Sequence, residues 1–382
     1  MKLQTVFWSA WGAQVQQARH ASQFCCRLLP AVLAVVAVCG CFLSAARAAE
    51  LKEACSGLMT RDSLPPQGWS FIDSAVVQVS WKDLEPEDQQ FRGPGWETIE
   101  RARRSGVKLK LRVFSGVHAP AFVKRLGGPG ISAPEHNIDC SKTGGVAIFN
   151  RHDKRGGVIP RFWLPEYLDQ YEQLMTEVAR RYDNAPEIHE VVASGAMTLY
   201  AEPFYRAHSD AGTNQRLFQA GLTFEKDQAA HRRIIELHHR LFQRTRTSLA
   251  INAWDIIDAS PKHYRSSFEP TYEFVQWARG LMGEKLVLQN NGTGADAGCP
   301  AKANPRNNHF CYLAQVAGPK GFQTRTLARL GGNEEGLKKT LDAALRMGAN
   351  FVELPSGFAK FEKPWLAEYD RKLEANSGTP RH

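Results

Sequence analysis

The chain has 382 residues, 43% of them apolar, 23% charged and 10% aromatic, with a net charge of +9. That composition excludes a disordered chain, a collagen-like repeat and a multi-span membrane protein, and the length suits one α/β barrel of about 250 residues with insertions. Residues 1–48 hold Lys2, Arg19, Arg27 and Arg47 and no acid, so the remainder carries only +5, dispersed without a basic run; no nucleic-acid partner is expected.

The first 48 residues read as an export segment. An apolar run at 28–46 (LLPAVLAVVAVCGCFLSAA) follows the acid-free stretch, and Ala46-Arg47-Ala48 supplies the small-x-small pattern of a signal-peptidase site. A run of this length could also span a bilayer as an uncleaved anchor, and Val38-Cys39-Gly40-Cys41 is similar to a lipobox. Cleavage after Ala48 is the favoured reading. It leaves no stable membrane partner, places the mature protein in the periplasm or outside the cell, and makes 49–375 the folded body and 376–382 a disordered tail.

Export gives the cysteines a meaning. Cys25, Cys26, Cys39 and Cys41 fall in the leader, leaving Cys55, Cys140, Cys299 and Cys311, an even set that suggests disulfides in an oxidising compartment. Three pairings are open. Cys299 and Cys311 bracket one Gly/Pro/Asn-rich loop, which favours that bridge and leaves Cys55–Cys140 by elimination. Neither CxxC nor HExxH occurs and the histidines are scattered, so no metal is expected.

In the body, short β-rich runs alternate with helical patterns. The runs are 75–80 (AVVQVS), 107–113 (VKLKLRV), 190–194 (EVVAS), 248–253 (SLAINA), 285–289 (KLVLQ), 321–324 (GFQT) and 350–354 (NFVEL), with an eighth expected within 68–73. Between them, Leu164, Tyr167, Leu168, Tyr171, Leu174, Met175, Val178 and Tyr182 recur at helical spacing behind Pro165. Shorter helices are expected around Trp96 and Leu341. Repeated strand-then-helix units mean parallel strands. Eight would close a (β/α)8 barrel and fewer would leave an open sheet, but no Gly-rich phosphate loop follows the first run, which favours the barrel. The Gly/Pro/charge-rich stretch 115–160 reads as a long loop over one barrel mouth.

Active sites in such barrels sit at the C-terminal strand ends. Those ends carry Trp81, Glu85, Arg112, Glu202, Asn252, Trp254, Asp255, Asn290, Asn291, Gln323 and Glu353, with His118 and Tyr200 on adjoining loops. Sugars offer apolar faces to aromatic rings and hydroxyls to amides and carboxylates, and their cleavage needs two carboxyl groups, one protonated and one ionised. The set therefore points to carbohydrate chemistry. Glu85 is expected to pair with Arg112 at the rim, and Asn290-Asn291-Gly292 could equally be a turn.

The segments 79–86 (VSWKDLEP), 109–113 (LKLRV), 117–123 (VHAPAFV), 160–167 (PRFWLPEY), 180–186 (RRYDNAP) and 191–203 (VVASGAMTLYAEP), in that order, resemble β-galactosidase-like barrels of glycoside hydrolase clan A. The resemblance spans roughly residues 68–360. It implies Glu202 as general acid/base and Glu353 as nucleophile in a retaining reaction without a cofactor. Two positions depart from the clan pattern: Ala201 stands where an Asn is usual, and Glu353 falls on the last strand where the clan nucleophile lies on the seventh. Asp255 is the next candidate. The expectation is a secreted glycoside hydrolase of an oligo- or polysaccharide, with a non-catalytic carbohydrate-binding barrel as the alternative.

Overall fold

The computed structural model describes residues 50–207, 209–259 and 265–376. The expected leader at 1–48 and residues 377–382 of the expected tail lie outside the described residues. Eight parallel strands close into a barrel: β1 (Gly57–Thr60), β2 (Ser74–Ser80), β3 (Lys108–Phe114), β4 (Ile188–Val192), β5 (Arg246–Ala250), β6 (Leu286–Thr293), β7 (Lys320–Thr324) and β8 (Phe351–Glu353). Closure runs through Gly57–Phe351, Leu58–Val352 and Met59–Glu353. The intervening helices are α1 (Gly95–Arg103), α2 (Pro165–Tyr182), α3 (Ala211–Gln219), α4 (Phe224–Leu241), α5 (Glu269–Met282), α6 (His309–Gln315), α7 (Glu334–Arg346) and α8 (Lys363–Glu374).

Local chemistry sets the helix ends. Pro165 opens α2 where no backbone N–H is required. Thr223 and Asn333 cap α4 and α7 by accepting from Lys226 N and Gly336 N. The periodic apolar face of α2 is buried from Tyr167 to Tyr182, joining the shell between helices and sheet.

The eighth strand is not where the sequence placed it. Residues 68–73 form turns, and the strand is Gly57–Thr60. Four residues, all buried, show no alternation by which a strand can be told from a loop. Gly57 has φ +77°, and a Cβ there would lie 2.4 Å from Asp370 Oδ1 on α8. That carboxylate instead accepts the Leu58 N–H at 2.6 Å.

The barrel lumen is polar in its upper part. Arg112 on β3 reaches across to Glu353 on β8 with bonds of 2.8 and 3.0 Å. Lys110, also on β3, lies 3.5 Å from Glu190 and 3.3 Å from Glu353 and bonds Gln289 of β6. Two cations and two carboxylates, all buried, thus balance inside the barrel, the condition under which such charges are tolerated. An apolar cluster of Cys55, Met59, Val76, Val287 and Phe351 packs together beside them.

The long loop 115–160 contains an antiparallel hairpin of Val146–Asn150 with Arg155–Ile159. The Cys299–Cys311 bridge is formed, with the Cα atoms 4.4 Å apart. The second expected bridge is not: Cys55 and Cys140 are free thiols. Cys55 is buried with the barrel strands and Cys140 packs against Ala133 and Ala147 of the long loop, so elimination joined two residues that pack in separate clusters.

Candidate active site

A cleft of about 630 Å³ opens at the C-terminal strand ends. Asn291 of β6 and Gln323 of β7 line it from the sheet, Asp153 and Arg155 from the hairpin, and Tyr200, Glu202 and Tyr205 from the loop after β4. The loop after β4 is held by a buried ion pair, Arg206 to Asp227, at 2.6 and 3.1 Å. Arg206 also donates to Ala196 O, and its backbone N–H is taken by Asp255 at 2.8 Å. Asp255 therefore serves the loop and does not line the cleft.

Glu202 feels the charge of Glu353, and the two carboxyls differ in environment. Burial pushes the Glu202 carboxyl up to about 7, and the Glu353 charge adds to this, while Arg112 and a hydrogen bond with Asn291 offset part of it. Burial would also raise Glu353, but the charges of Arg112 and Lys110, with bonds from Arg112 and Gln289, outweigh it and hold the group at about 2. Two carboxyls pushed apart in this way are one proton donor and one standing anion at neutral pH.

Their access differs too. Glu202 lines the cleft, whereas Glu353 is 0% exposed and does not. Gln289 donates to Glu353 at 2.7 Å and to Asn291 Oδ1 at 2.8 Å, so a layer of amides links Glu353 to the floor residue that meets Glu202. Glu353 stands on the eighth strand, in register with Gln323 of β7, and β7 (KGFQT) itself carries no carboxylate.

Among the other expected contacts, Tyr200, Asn252, Asn291 and Gln323 line the cleft. The two tryptophans do not. Trp81 is fully buried, donates to Glu85 at 2.8 Å and meets the rings of Tyr167 and Tyr171 edge-on. Trp254 is fully buried, donates to Asp227 at 3.1 Å and packs on Phe204 and His231. Neither has a free face for a sugar, because both rings are fully buried in the helix–sheet core. Glu85 accepts from Trp81 and Gln89 and does not pair with Arg112, whose partner is Glu353. His118 leans on Phe114, half-buried, with burial lowering its pKa, and lies outside the cleft. Asn290 is buried, donating to Ile251 O and Asn252 Oδ1 and accepting from Gly292 N; it shapes the turn, while its neighbour Asn291 reaches the cleft.

The sequence reading singled out none of the hairpin residues. Tyr200 donates to Asp153 at 2.5 Å, and Asn150 bonds both Tyr200 and Tyr205. The Tyr200 hydrogen bond and the Arg329 charge lower the Asp153 pKa. Asp153 and Glu202 are the two acids lining the cleft among the described residues. The charged run 151–155 (RHDKR) was the available signal, but nothing in it said which residue turns inward. One group with metal-ligand geometry, Glu135, His136 and Asp210, is already neutralised by Arg216 and Arg151.

No family model and no curated protein matches the chain. Among solved structures it is similar to the catalytic domain of a β-amylase from Paenibacillus polymyxa, at 11% identity and TM-score 0.45 over 85% of this chain and 95% of that one. It is also similar to endo-glycoceramidase II from Rhodococcus sp., at 13% and 0.43 over 84% and 80%, and to an endoglucanase from Pseudomonas stutzeri, at 8% and 0.41 over 86% and 97%. The (β/α)8 barrel is defined by its own strand pairing.

Proposed function

We propose that this protein hydrolyses glycosidic bonds, with Glu202 as general acid in the cleft at the C-terminal mouth of the barrel. The observation that carries this reading is a cleft-lining carboxyl raised to about 7 beside a carboxylate held at about 2. Glycoside cleavage needs the first to protonate the leaving oxygen and an ionised partner to support or attack the developing cation. Tyr200, Asn252, Asn291 and Gln323 supply hydroxyl and amide groups for sugar hydroxyls. The chemistry uses carboxyl groups alone and needs no cofactor.

Glu353 is the ionised partner in this proposal. A retaining reaction needs the carboxyls about 5–5.5 Å apart and an open path to the anomeric carbon, so attack by Glu353 requires Gln289 and Asn291 to part. With that layer closed, Glu353 acts through its charge, keeping Glu202 protonated. The full burial of Glu353 and the Ala201 departure favour a second reading, a barrel that holds a glycan without cutting it. The acid-free leader and the Cys299–Cys311 bridge support action outside the cytoplasm.

Aryl glycosides with good and poor leaving groups separate the two readings. Glu202→Ala is expected to abolish turnover where the leaving oxygen must be protonated and to spare substrates whose phenolate departs unaided. Equal loss on both, or no loss on either, removes Glu202 as general acid; no turnover by the wild type leaves the binding barrel.

A further inference from the structure

The cleft that holds Glu202 is also lined by four arginines, Arg61, Arg155, Arg325 and Arg329, against the two acids Asp153 and Glu202. Two of the arginines are matched: Arg325 lies 2.8 Å from Asp296 and Arg329 lies 2.8 Å from Asp153. Arg61 is anchored by Nη1 donating to Thr324 O at 2.9 Å and approaches Asp62 only at 3.6 Å. The Arg155 guanidinium makes no hydrogen bond or ion pair among the described residues and shares the charge of Asp153 with Arg329. Glu202, the acid nearest the floor, is largely protonated below about pH 7. The lining is therefore short of negative charge at the place where a substrate sits.

We infer that the sugar taken by this cleft is itself anionic, carrying a carboxylate or a sulfate ester close to the bond at Glu202. This rests on the glycan reading above and specifies its substrate class. A guanidinium offers planar paired donors that match such oxygens, which a lysine ammonium does not. Two strand-end loops, after β1 and β7, and the hairpin deliver the arginines to one cavity. The Asp153–Arg329 pair joins the hairpin to the loop after β7 across the cleft; Arg329 is 65% exposed, so the pair is weak enough to yield to a substrate anion. A neutral glucan or galactan would leave Arg155 and Arg329 sharing the one charge of Asp153.

The test is calorimetric titration of the Glu202→Gln protein, which removes turnover, with tetrasaccharides of three kinds. A galacturonate oligomer reads the carboxylate, a sulfated galactan oligomer reads the sulfate, and a neutral galactan oligomer is the reference. At least one charged oligomer is expected to bind about tenfold tighter than the neutral one, with the preference shrinking as salt rises and screens the pair. Arg155→Gln, an exposed position where folding is checked by the melting curve, is expected to cut that preference to about threefold. Neutral binding as tight as both charged ligands, no binding by either charged ligand, an Arg155→Gln preference equal to the parent's, or equal binding of inorganic sulfate alone would each overturn the inference. A charged oligomer that binds but is never cleaved by the wild type leaves this inference standing and removes hydrolysis. Neutral oligomers cleaved without preference do the reverse.

Discussion

Replacing Glu202 by Gln keeps the side chain's shape and removes its proton, so the variant's relative stability reads the acid's ionisation. The carboxyl rises from an ordinary 4.5 to about 7 on folding. At about 1.4 kcal/mol per pH unit the full effect is about 3 kcal/mol, and partial exposure to the cleft reduces it to about 2 kcal/mol. A raised carboxyl pKa means that the folded state prefers the proton. Its contribution is fully present below pH 4.5 and is lost as pH rises through 7. Glutamine does not titrate. Glu202→Gln should therefore gain about 2 kcal/mol over the wild type between acid pH and about pH 8.5. Urea unfolding of both proteins across that range measures the difference. A stability difference independent of pH, or one that moves the other way, would refute the buried-acid account of Glu202.

Glu353 should behave in the opposite sense. Its depressed pKa supplies stability above pH 4.5 that is lost as pH falls towards about 2, and Glu353→Gln leaves Arg112 without a carboxylate and Lys110 with Glu190 alone, costing about 3–5 kcal/mol at neutral pH by urea unfolding; a cost under about 1 kcal/mol would contradict the network. Trp81→Phe should lower stability by about 1–3 kcal/mol, through lost packing and the Glu85 bond, while leaving sugar affinity unchanged in calorimetry. The unreduced chain from residue 49 onward should show no reactive thiol when folded and two, Cys55 and Cys140, when unfolded. Removing the Cys299–Cys311 bridge, whose ends are 12 residues apart, should cost about 2–3 kcal/mol in the same unfolding assay.

The sequence carried much of the fold because parallel barrels announce themselves by repetition. Seven strands and α2 stood out through apolar runs and helical periodicity, whereas β1 was missed because four buried residues carry no period. Of the two carboxyls read from the strand-end segments, Glu202 lines the cleft and Glu353 lies buried outside its lining. Exposure was not legible. Trp81 and Trp254 look the same in sequence whether they face a sugar or the core, and only packing on Tyr167 or Phe204 decides. The arginines and Asp153 were overlooked for a related reason. A charged loop residue is normally solvated, and its turn into the cleft depends on how the hairpin folds back over the barrel mouth.

Release of reducing ends from a panel of oligosaccharides, wild type beside Glu202→Gln, tests the central claim most directly. The account predicts measurable cleavage of at least one substrate by the wild type, falling away above about pH 7 as the acid loses its proton, and none by the variant. Cleavage by Glu202→Gln at the wild-type rate, or a wild-type rate that is flat through pH 9, would contradict it.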